Sequence, residues 1–330
     1  MAGRYGTTFA INAFFSAEVQ SWMKTAVSQN SFPTTGLNTP MACIASVIVC
    51  TKERPAELQR FIDSLNGQTR PADELILVDA SRDDRTQEMA RRFSGGAAYP
   101  IIYLRTKPGL TRQRNIGVRV AAGRYLFFFD DDVILSRHYV EFVLDAFERS
   151  TPPMLGGVTG RIVNLPHMDL ATRLCQKLFM LSDCGGGKLK QSGFPSMACG
   201  PRPVRVFVLP GCSVYSRAVF DRYAFDENLV DYGYMEDVDF SSRVSREFRL
   251  LYCPEAEFEH HPSTFRKYGA AALREMMVRH HVYLYRKNSP KTPVHVAAFI
   301  WSLLGILICN ALLSRDMEAC RGILRGLFRR

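Results

Sequence analysis

The stretch Arg124-Tyr-Leu-Phe-Phe-Phe-Asp130-Asp131-Asp132 joins an uninterrupted apolar run to three consecutive carboxylates. A short apolar run of this kind, rich in aromatics, suits a strand buried on both faces. Adjacent carboxylates repel and raise one another's pKa, so the triplet is costly unless a cation sits among them. Mg²⁺ or Mn²⁺, hard ions that prefer carboxylate oxygen together with phosphate, would relieve that conflict. A solvated acidic turn would be the first reading of an isolated Asp triplet; its position at the carboxyl end of a buried strand is what favours an ion.

Outward from that strand the chain alternates. Upstream, Ser46-Val-Ile-Val-Cys50 reads as a buried strand. Pro55 then opens a helix with Leu58, Phe61, Ile62 and Leu65 at i, i+3, i+4 and i+7, stopped at Gly67. A second strand is expected at Glu74–Asp79, a second helix at Asp84–Phe93, a third strand at Pro100–Leu104 and a third helix at Leu110–Ala122. This alternation predicts an α/β fold, a mostly parallel sheet flanked by helices. Such sheets bind ligands beyond the carboxyl ends of their strands, where Asp79 and Asp130 both stand. Downstream the pattern weakens. Strands are expected at Val204–Leu209 and Ala256–His260 and a helix from Asp237 to about Phe248. Asp183–Lys188 and Gly193–Pro203 read as a long mobile loop. Cys184-Gly-Gly-Gly-Lys188 is not a phosphate-binding P-loop, because its glycine spacing is wrong and Leu189 follows the lysine.

Among 330 residues, 42 Lys and Arg against 32 Asp and Glu leave a formal charge of +10. A content of 47% hydrophobic and 22% charged residues excludes collagen, wholesale disorder and a polytopic membrane protein. The positive surplus attracts phosphates, but it is spread out rather than massed in runs, which argues against nucleic acid. Nine cysteines without a C-x-x-C pair, and a start without a signal-peptide pattern, lead to the expectation of a reducing cytosol rather than a disulfide scaffold.

Residues 1–43 read as an N-terminal extension, with one short helix around Phe14–Val27. Residues 44–290 are expected to form the main body, in halves 44–135 and 136–290, and 291–330 a C-terminal segment of one hydrophobic and one basic amphipathic helix. Val294–Leu313 carries no formal charge and has the length of a membrane span. Basic residues flank both ends, so topology stays undecided. In the tail, Met317, Cys320, Ile323, Leu324 and Phe328 fall near one helical face, leaving Arg321, Arg325, Arg329 and Arg330 for lipid phosphates. The expected arrangement is a helix lying in the interface, a peripheral contact at the cytoplasmic face of a membrane. A true span and a helix packed on the protein remain the alternatives.

Thr111-Arg112-Gln113-Arg114-Asn115 opens the third helix, where N–H groups and guanidiniums together favour an anion. Glu236-Asp237-Val-Asp239 begins another helix shortly after Gly233, with acids where the helix dipole favours them.

Five segments in order then carry a resemblance. They are Ser46-Val-Ile-Val-Cys-Thr-Lys-Glu-Arg-Pro55, Leu77-Val-Asp79-Ala-Ser81, Gly109-Leu-Thr-Arg-Gln-Arg-Asn-Ile-Gly117, Ala122-Gly-Arg-Tyr-Leu-Phe-Phe-Phe-Asp-Asp-Asp132 and Glu236-Asp-Val-Asp239. Together, over about Ala45 to Pro290, the chain resembles the family 2 glycosyltransferases. The resemblance implies a GT-A fold and inverting transfer from a nucleotide-activated sugar, with Mg²⁺ or Mn²⁺ held by the Asp cluster. It implies Thr51, Glu53 and Asp79 around the nucleoside, Arg114 near the diphosphate with Arg112 beside it, and Asp130 and Asp132 as the D-x-D motif with Asp131 on the donor side between them. A metal-binding His is implied after the Pro254 strand, and the alternating register Pro254, Ala256, Phe258, His260 selects His260 as the partner of Asp130 and Asp132. Inverting transfer needs a carboxylate to take the acceptor's proton. The resemblance puts that base in the Glu236 motif, with Asp237 as base, Glu236 positioning the acceptor and Asp239 pointing away. Gly211 and Cys212 are implied on the acceptor side, where a missing side chain permits close approach of a sugar.

Glu53 stands where the family often has Asn, and Ala80 where a second Asp is common. UDP-, dTDP- and GDP-sugars therefore all stay open as donors. The acceptor expected is a hydroxyl of a glycan or a lipid-linked acceptor, the lipid motivated by the tail alone. Two other readings remain. A sugar nucleotidyltransferase needs a Gly-rich loop after the first strand, which Thr51-Lys-Glu-Arg-Pro55 lacks. A non-catalytic basic module that binds anionic lipid or nucleic acid has no need of Asp130–Asp132 or Glu236–Asp237.

Overall fold

The apolar runs become β1 (Ala45–Thr51), α1 (Pro55–Asn66), β2 (Glu74–Asp79), α2 (Arg85–Ser94), β3 (Ile101–Arg105), α3 (Leu110–Val120) and β4 (Tyr125–Asp130) in a computed structural model. The structure describes residues 43–150, 154–262, 269–313 and 315–328. The expected extension with its short helix lies outside the described residues, apart from Cys43. The four strands lie parallel in the order β3-β2-β1-β4. Alternate strand residues feed two separate cores, as period-2 geometry demands. Val47, Val49, Phe127 and Phe129 pack on one face with Leu58, Phe61 and Ile62 of α1, while Ile48, Leu126 and Phe128 pack on the other with Phe240 and Val244.

Downstream come β5 (Val133–Leu135), α4 (Tyr139–Glu148), β6 (Leu155–Ile162), α5 (Leu170–Leu178), β7 (Asp183–Gly185), β8 (Lys188–Leu189), β9 (Pro195–Ala198), β10 (Val204–Val206), β11 (Ser213–Ser216), α6 (Glu236–Val244) and β12 (Arg249–His260). β11 runs antiparallel between β4 and β6, and β12 lies parallel to β6 with β5 and β10 antiparallel against it. The result is a sheet of nine strands flanked by helices, parallel through β3-β2-β1-β4 and mixed beyond.

Several expectations are corrected here. The stretch read as a mobile loop holds a three-stranded sheet, β7-β9-β8, and a disulfide joins Cys184 to Cys199. Pairing of Cys184 with Met197 and Gly185 with Ala198 is what brings the two cysteines together, and no sequence motif announces it. β12 begins at Arg249, well before Ala256, and β10 stops at Val206. α5 is an addition to the expected elements, although Leu170, Leu174 and Leu178 recur at i, i+4, i+8 and Asp169 caps it by accepting from the Thr172 N–H at 2.8 Å.

The chain ends in α7 (Ala270–Asn288), α8 (Pro293–Ile308), a π-type turn at Cys309–Leu313 and α9 (Met317–Phe328). Pro293–Leu313 is long and apolar enough, by length and composition, to cross a membrane, and 22% of its most apolar stretch is buried. The single apolar face expected of α9 is split. Ala319, Cys320, Gly322, Ile323 and Gly326 are buried, with Gly322 and Gly326 against the backbone of α7, while Met317, Leu324 and Phe328 are exposed.

Gly160 marks the tightest join in the sheet. A Cβ there would lie 1.9 Å from the Ala256 carbonyl oxygen, where the β6–β12 register shifts between Tyr252 and Glu257. Gly160→Ala must push the β6 and β12 backbones apart and should cost about 1–3 kcal/mol, the usual scale of overpacking. Urea unfolding reads this, and an unchanged midpoint contradicts it.

Candidate active site

Parallel pairing sets Thr51 opposite Asp79 and Cys50 opposite Asp130, so three sequence-selected residues end their strands at one rim. They do not all face the same space. Asp79 is fully buried, accepting from the Ser81 N–H and from the Tyr103 hydroxyl, each at 2.8 Å, and it shapes the loop after β2 without lining the cavity above the rim. Thr51 donates to Asp131 Oδ2 at 2.7 Å. Glu53 sits in the left-handed region at φ 58°, held by its N–H donating to Ser81 Oγ at 2.6 Å. Above this rim lies a cavity of about 360 Å³ lined by Thr51, Glu53, Asp130, Asp132, Tyr232 and His260 among others.

Within the triplet the middle residue turns inward. Asp131 is 2% exposed, and burial pushes its pKa up to about 7 against the pull of Arg54 and Thr51. Arg54 bonds Asp131 and also Asp132, the latter at 2.6 Å. Sequence reasoning missed Arg54; its signal was position, a cation in the first loop beyond the strand ends. Burial works against Asp132 too, but His260 and Arg54 outweigh it and hold the carboxyl down to about 2.

β5 follows the triplet directly and pairs antiparallel with β12, setting His260 opposite Val133, and the His261 N–H donates to the Asp132 carbonyl at 2.9 Å. His260 Nε2 therefore stands 3.2 Å from Asp132 Oδ1. Ligand atoms of Asp130, Asp132 and His260 all lie within 4.8 Å of one another. Two carboxylates and one imidazole at that spacing fit a divalent ion such as Mn²⁺ or Mg²⁺.

On the other side of Asp130 a second cavity, about 280 Å³, is lined by Arg114, Gly211, Cys212, Glu236 and Asp237. Asp130, Tyr232 and His260 line both cavities. Arg114 is buried and joins the two sides, with Nη2 3.4 Å from Asp130 and Nη1 3.1 Å from Glu236. Its guanidinium also lies over the Phe128 and Phe225 rings. Burial alone would lower its pKa, but Glu236 and Asp130 hold it above the ordinary value. Arg112 is not brought to the cleft: it is half-exposed and pairs with Glu227 at 3.4 Å.

Asp231, Gly233 and Met235 adopt φ of 60°, 64° and 63°, a run of left-handed residues that turns the chain so that α6 starts at Glu236 inside the cleft. Glu236 is 4% exposed, and its Oε2 has no hydrogen-bond partner among the described residues. Burial, reinforced by Asp237 and Asp130, pushes its pKa up to about 8 despite Arg114. Asp237 is only partly buried and lines the cavity; burial again raises its pKa, countered by the Val238 N–H at 2.8 Å. Asp239 points away, its carboxylate held by Arg243, Lys287 and Asn288 at 2.8–3.1 Å, which anchors α6 to α7. A Cβ on Gly211 would approach Arg114 Nη2 to 3.1 Å, and the Cys212 thiol lies 3.9 Å from Asp130 Oδ2. Both are thus packed against the carboxylate cluster.

The sequence profile described as "Glycosyl transferase family 2" matches residues 46–224, more than half of the chain. The chain belongs to glycosyl transferase family 2. Among curated relatives of this family 2 chain, the uncharacterized glycosyltransferase YfnE of Bacillus subtilis is 26% identical over 267 residues, covering 66% of this chain. The chain spans 65% of that relative's length. Among solved structures, the mannosyltransferase PcManGT from Pyrobaculum calidifontis, in complex with GDP-Man and Mn²⁺, aligns over 94% of this chain and 93% of its own at TM-score 0.54 and 15% identity. GalNAc-T7 with UDP, GalNAc and Mn²⁺ aligns over 85% of this chain and 59% of its own at TM-score 0.54 and 14% identity. The fold is the GT-A type.

Two outcomes follow from the site's electrostatics. His260→Ala should weaken Mn²⁺ affinity, read by electron paramagnetic resonance, by about tenfold or more, since even outer-shell partners command that scale; unchanged affinity removes His260 from the ligand set. Glu236 titrates at about 8 when folded, against an ordinary value of 4.5. Between those values the folded chain holds a proton that the unfolded chain lacks, so stability falls as pH rises through the window. Glu236→Gln removes that loss. In metal-free buffer it should melt higher than wild type above pH 8, with the gain vanishing below pH 5; a variant less stable throughout contradicts the shift.

Proposed function

We propose that this chain is a metal-dependent inverting glycosyltransferase, moving a sugar from a nucleoside diphosphate donor to a hydroxyl of a glycan or lipid-linked acceptor. One observation carries the reading: two cavities meet at Asp130, with an ion-binding triad on one side and the carboxylates of Glu236 and Asp237 on the other. The structural neighbours that hold UDP or GDP-Man with Mn²⁺ support it. In this reading residues 44–135 form the donor half and 136–290 the acceptor half.

Thr51 and Glu53 border the nucleoside, with Asp79 bracing the adjoining loop from behind. Arg114 places positive charge between the donor's diphosphate and the acceptor motif. A bound Mg²⁺ or Mn²⁺ at Asp130, Asp132 and His260 supplies charge neutralisation for the departing diphosphate. Glu236, protonated near neutral pH, offers its unpartnered oxygen to orient the acceptor hydroxyl. Asp237 takes the proton of that hydroxyl as its oxygen attacks the anomeric carbon, and burial moves its pKa toward the range a base needs at neutral pH. Gly211 leaves room beside these groups for the acceptor.

The outward apolar side chains of α8, among them Val294, Ile300, Trp301 and Leu304, with Arg321 and Arg325 of α9, suit peripheral contact with the cytoplasmic face of a membrane. The Cys184–Cys199 bond pulls the other way on location, since disulfides are rare in a reducing cytosol.

Asp237→Asn is expected to lower transfer by about 10²–10⁴-fold, the usual worth of a positioned general base, while Mn²⁺-dependent nucleotide binding persists. Chromatography of the released products reads it. Near-wild-type turnover removes Asp237 as base, and release of pyrophosphate instead of nucleoside diphosphate makes the chain a nucleotidyltransferase.

A further inference from the structure

Between α5, α7 and the Cys309–Leu313 turn lies a third cavity, about 350 Å³. Leu181, Phe194, Val278, Ile306 and Leu313 give it apolar wall, Thr172, Gln176 and Asn310 give it polar wall, and one cation, Arg274 of α7, lines it. Arg274 contacts the Met277 sulfur at 3.5 Å, and among the described residues no carboxylate forms an ion pair with it. Ser182 and Tyr234 line this cavity and the acceptor-side cavity alike, so the two share a wall beside Glu236 and Asp237. Leu313, which lines the cavity, is itself exposed. Trp301 Nε1 donates to the Leu178 carbonyl at 2.8 Å and ties α5 to α8.

A guanidinium that lines a cavity and has no carboxylate ion pair among the described residues is matched to an anion, and its planar fork suits phosphate best. The apolar wall residues, reaching the surface at Leu313, are matched to a hydrocarbon chain, whose burial is favourable by area. We propose that this cavity seats the acceptor's carrier: an apolar chain with a phosphate or diphosphate head, the anion on Arg274, the chain running out between α5 and α8, and the end to be glycosylated toward Asp237. The proposal rests on the glycosyltransferase reading for its acceptor role, but carrier binding is measured apart from transfer.

Farnesyl phosphate, farnesol and inorganic phosphate, each titrated into the full chain by calorimetry below their aggregation limits, distinguish the sources. Wild type should bind farnesyl phosphate roughly 10- to 100-fold more tightly than farnesol, the worth of one charge-assisted hydrogen-bonded pair, and inorganic phosphate only weakly. Arg274→Gln should bring farnesyl phosphate down to the affinity of farnesol while farnesol itself is unchanged, which also certifies that the variant is folded. Ile306→Trp, filling the apolar end, should weaken both prenyl compounds. The proposal is overturned if Arg274→Gln binds farnesyl phosphate as wild type does, if inorganic phosphate binds equally well, or if Arg321→Gln, on the exposed face of α9, causes the same loss. UDP with Mn²⁺ is titrated in parallel. A chain that binds the nucleotide but no prenyl phosphate loses only the carrier site, and one that binds prenyl phosphate but no nucleotide loses only the proposed function.

Discussion

Crowded negative charge governs this molecule. Asp130, Asp131, Asp132, Glu236 and Asp237 gather around one cleft, and two buried arginines, Arg54 and Arg114, answer them. Two guanidiniums do not balance five carboxylates. Burial raises the pKa values of Asp131 and Glu236 and the neighbouring carboxylates add to it, while Asp132 and Asp130 lift the His260 pKa although burial opposes it. Asp131, Asp132 and Glu236 are buried, so an uncompensated charge on any of them is expensive. A divalent cation beside Asp130 and Asp132 would restore balance, and a pyrophosphate would then find a cation to hold it.

The fold exists around that cluster. Parallel strands deliver Thr51 and Asp130 to one rim, the turn from Asp132 into β5 fixes the register of β12 and hence His260, and left-handed residues before α6 set Glu236 against Arg114. Asp239, at the back of the same helix, is saturated by side chains of Arg243, Lys287 and Asn288, so α6 cannot rotate its cleft-facing side away without exposing or unpairing a buried carboxylate. α7, which supplies Lys287 and Asn288 to that anchor, also supplies Arg274 to the third cavity.

The first half of this architecture is legible because hydrophobic periodicity and turn residues agree there. Patterning alone places β2 at Glu74–Asp79, and its neighbours within a residue or two. The second half is not, because its strands pair over long sequence separations. β11 inserts between β4 and β6, and β12 starts seven residues early because Leu250 and Tyr252 are buried by β6 rather than by anything local. In the cleft, residues that stand in motifs do converge, as with Asp130, Asp132, His260, Glu236 and Asp237. Direction is what the sequence withholds. Arg112 and Arg114 are two residues apart on a helix, about 200° around its axis, and only Arg114 faces the carboxylates. Asp79 reaches the rim but is consumed by Ser81 and Tyr103. The Cys184–Cys199 bond depends on tertiary pairing that no local pattern encodes.

Thermal melting with UDP and with GDP, in Mn²⁺ and then in excess chelator, tests the central claim most directly, because a ligand of the folded state raises the melting temperature by mass action. The account predicts that at least one nucleotide stabilises wild type only when Mn²⁺ is present, and that Asp130→Asn abolishes the gain. An equal rise in chelator, or a rise that survives Asp130→Asn, would contradict it.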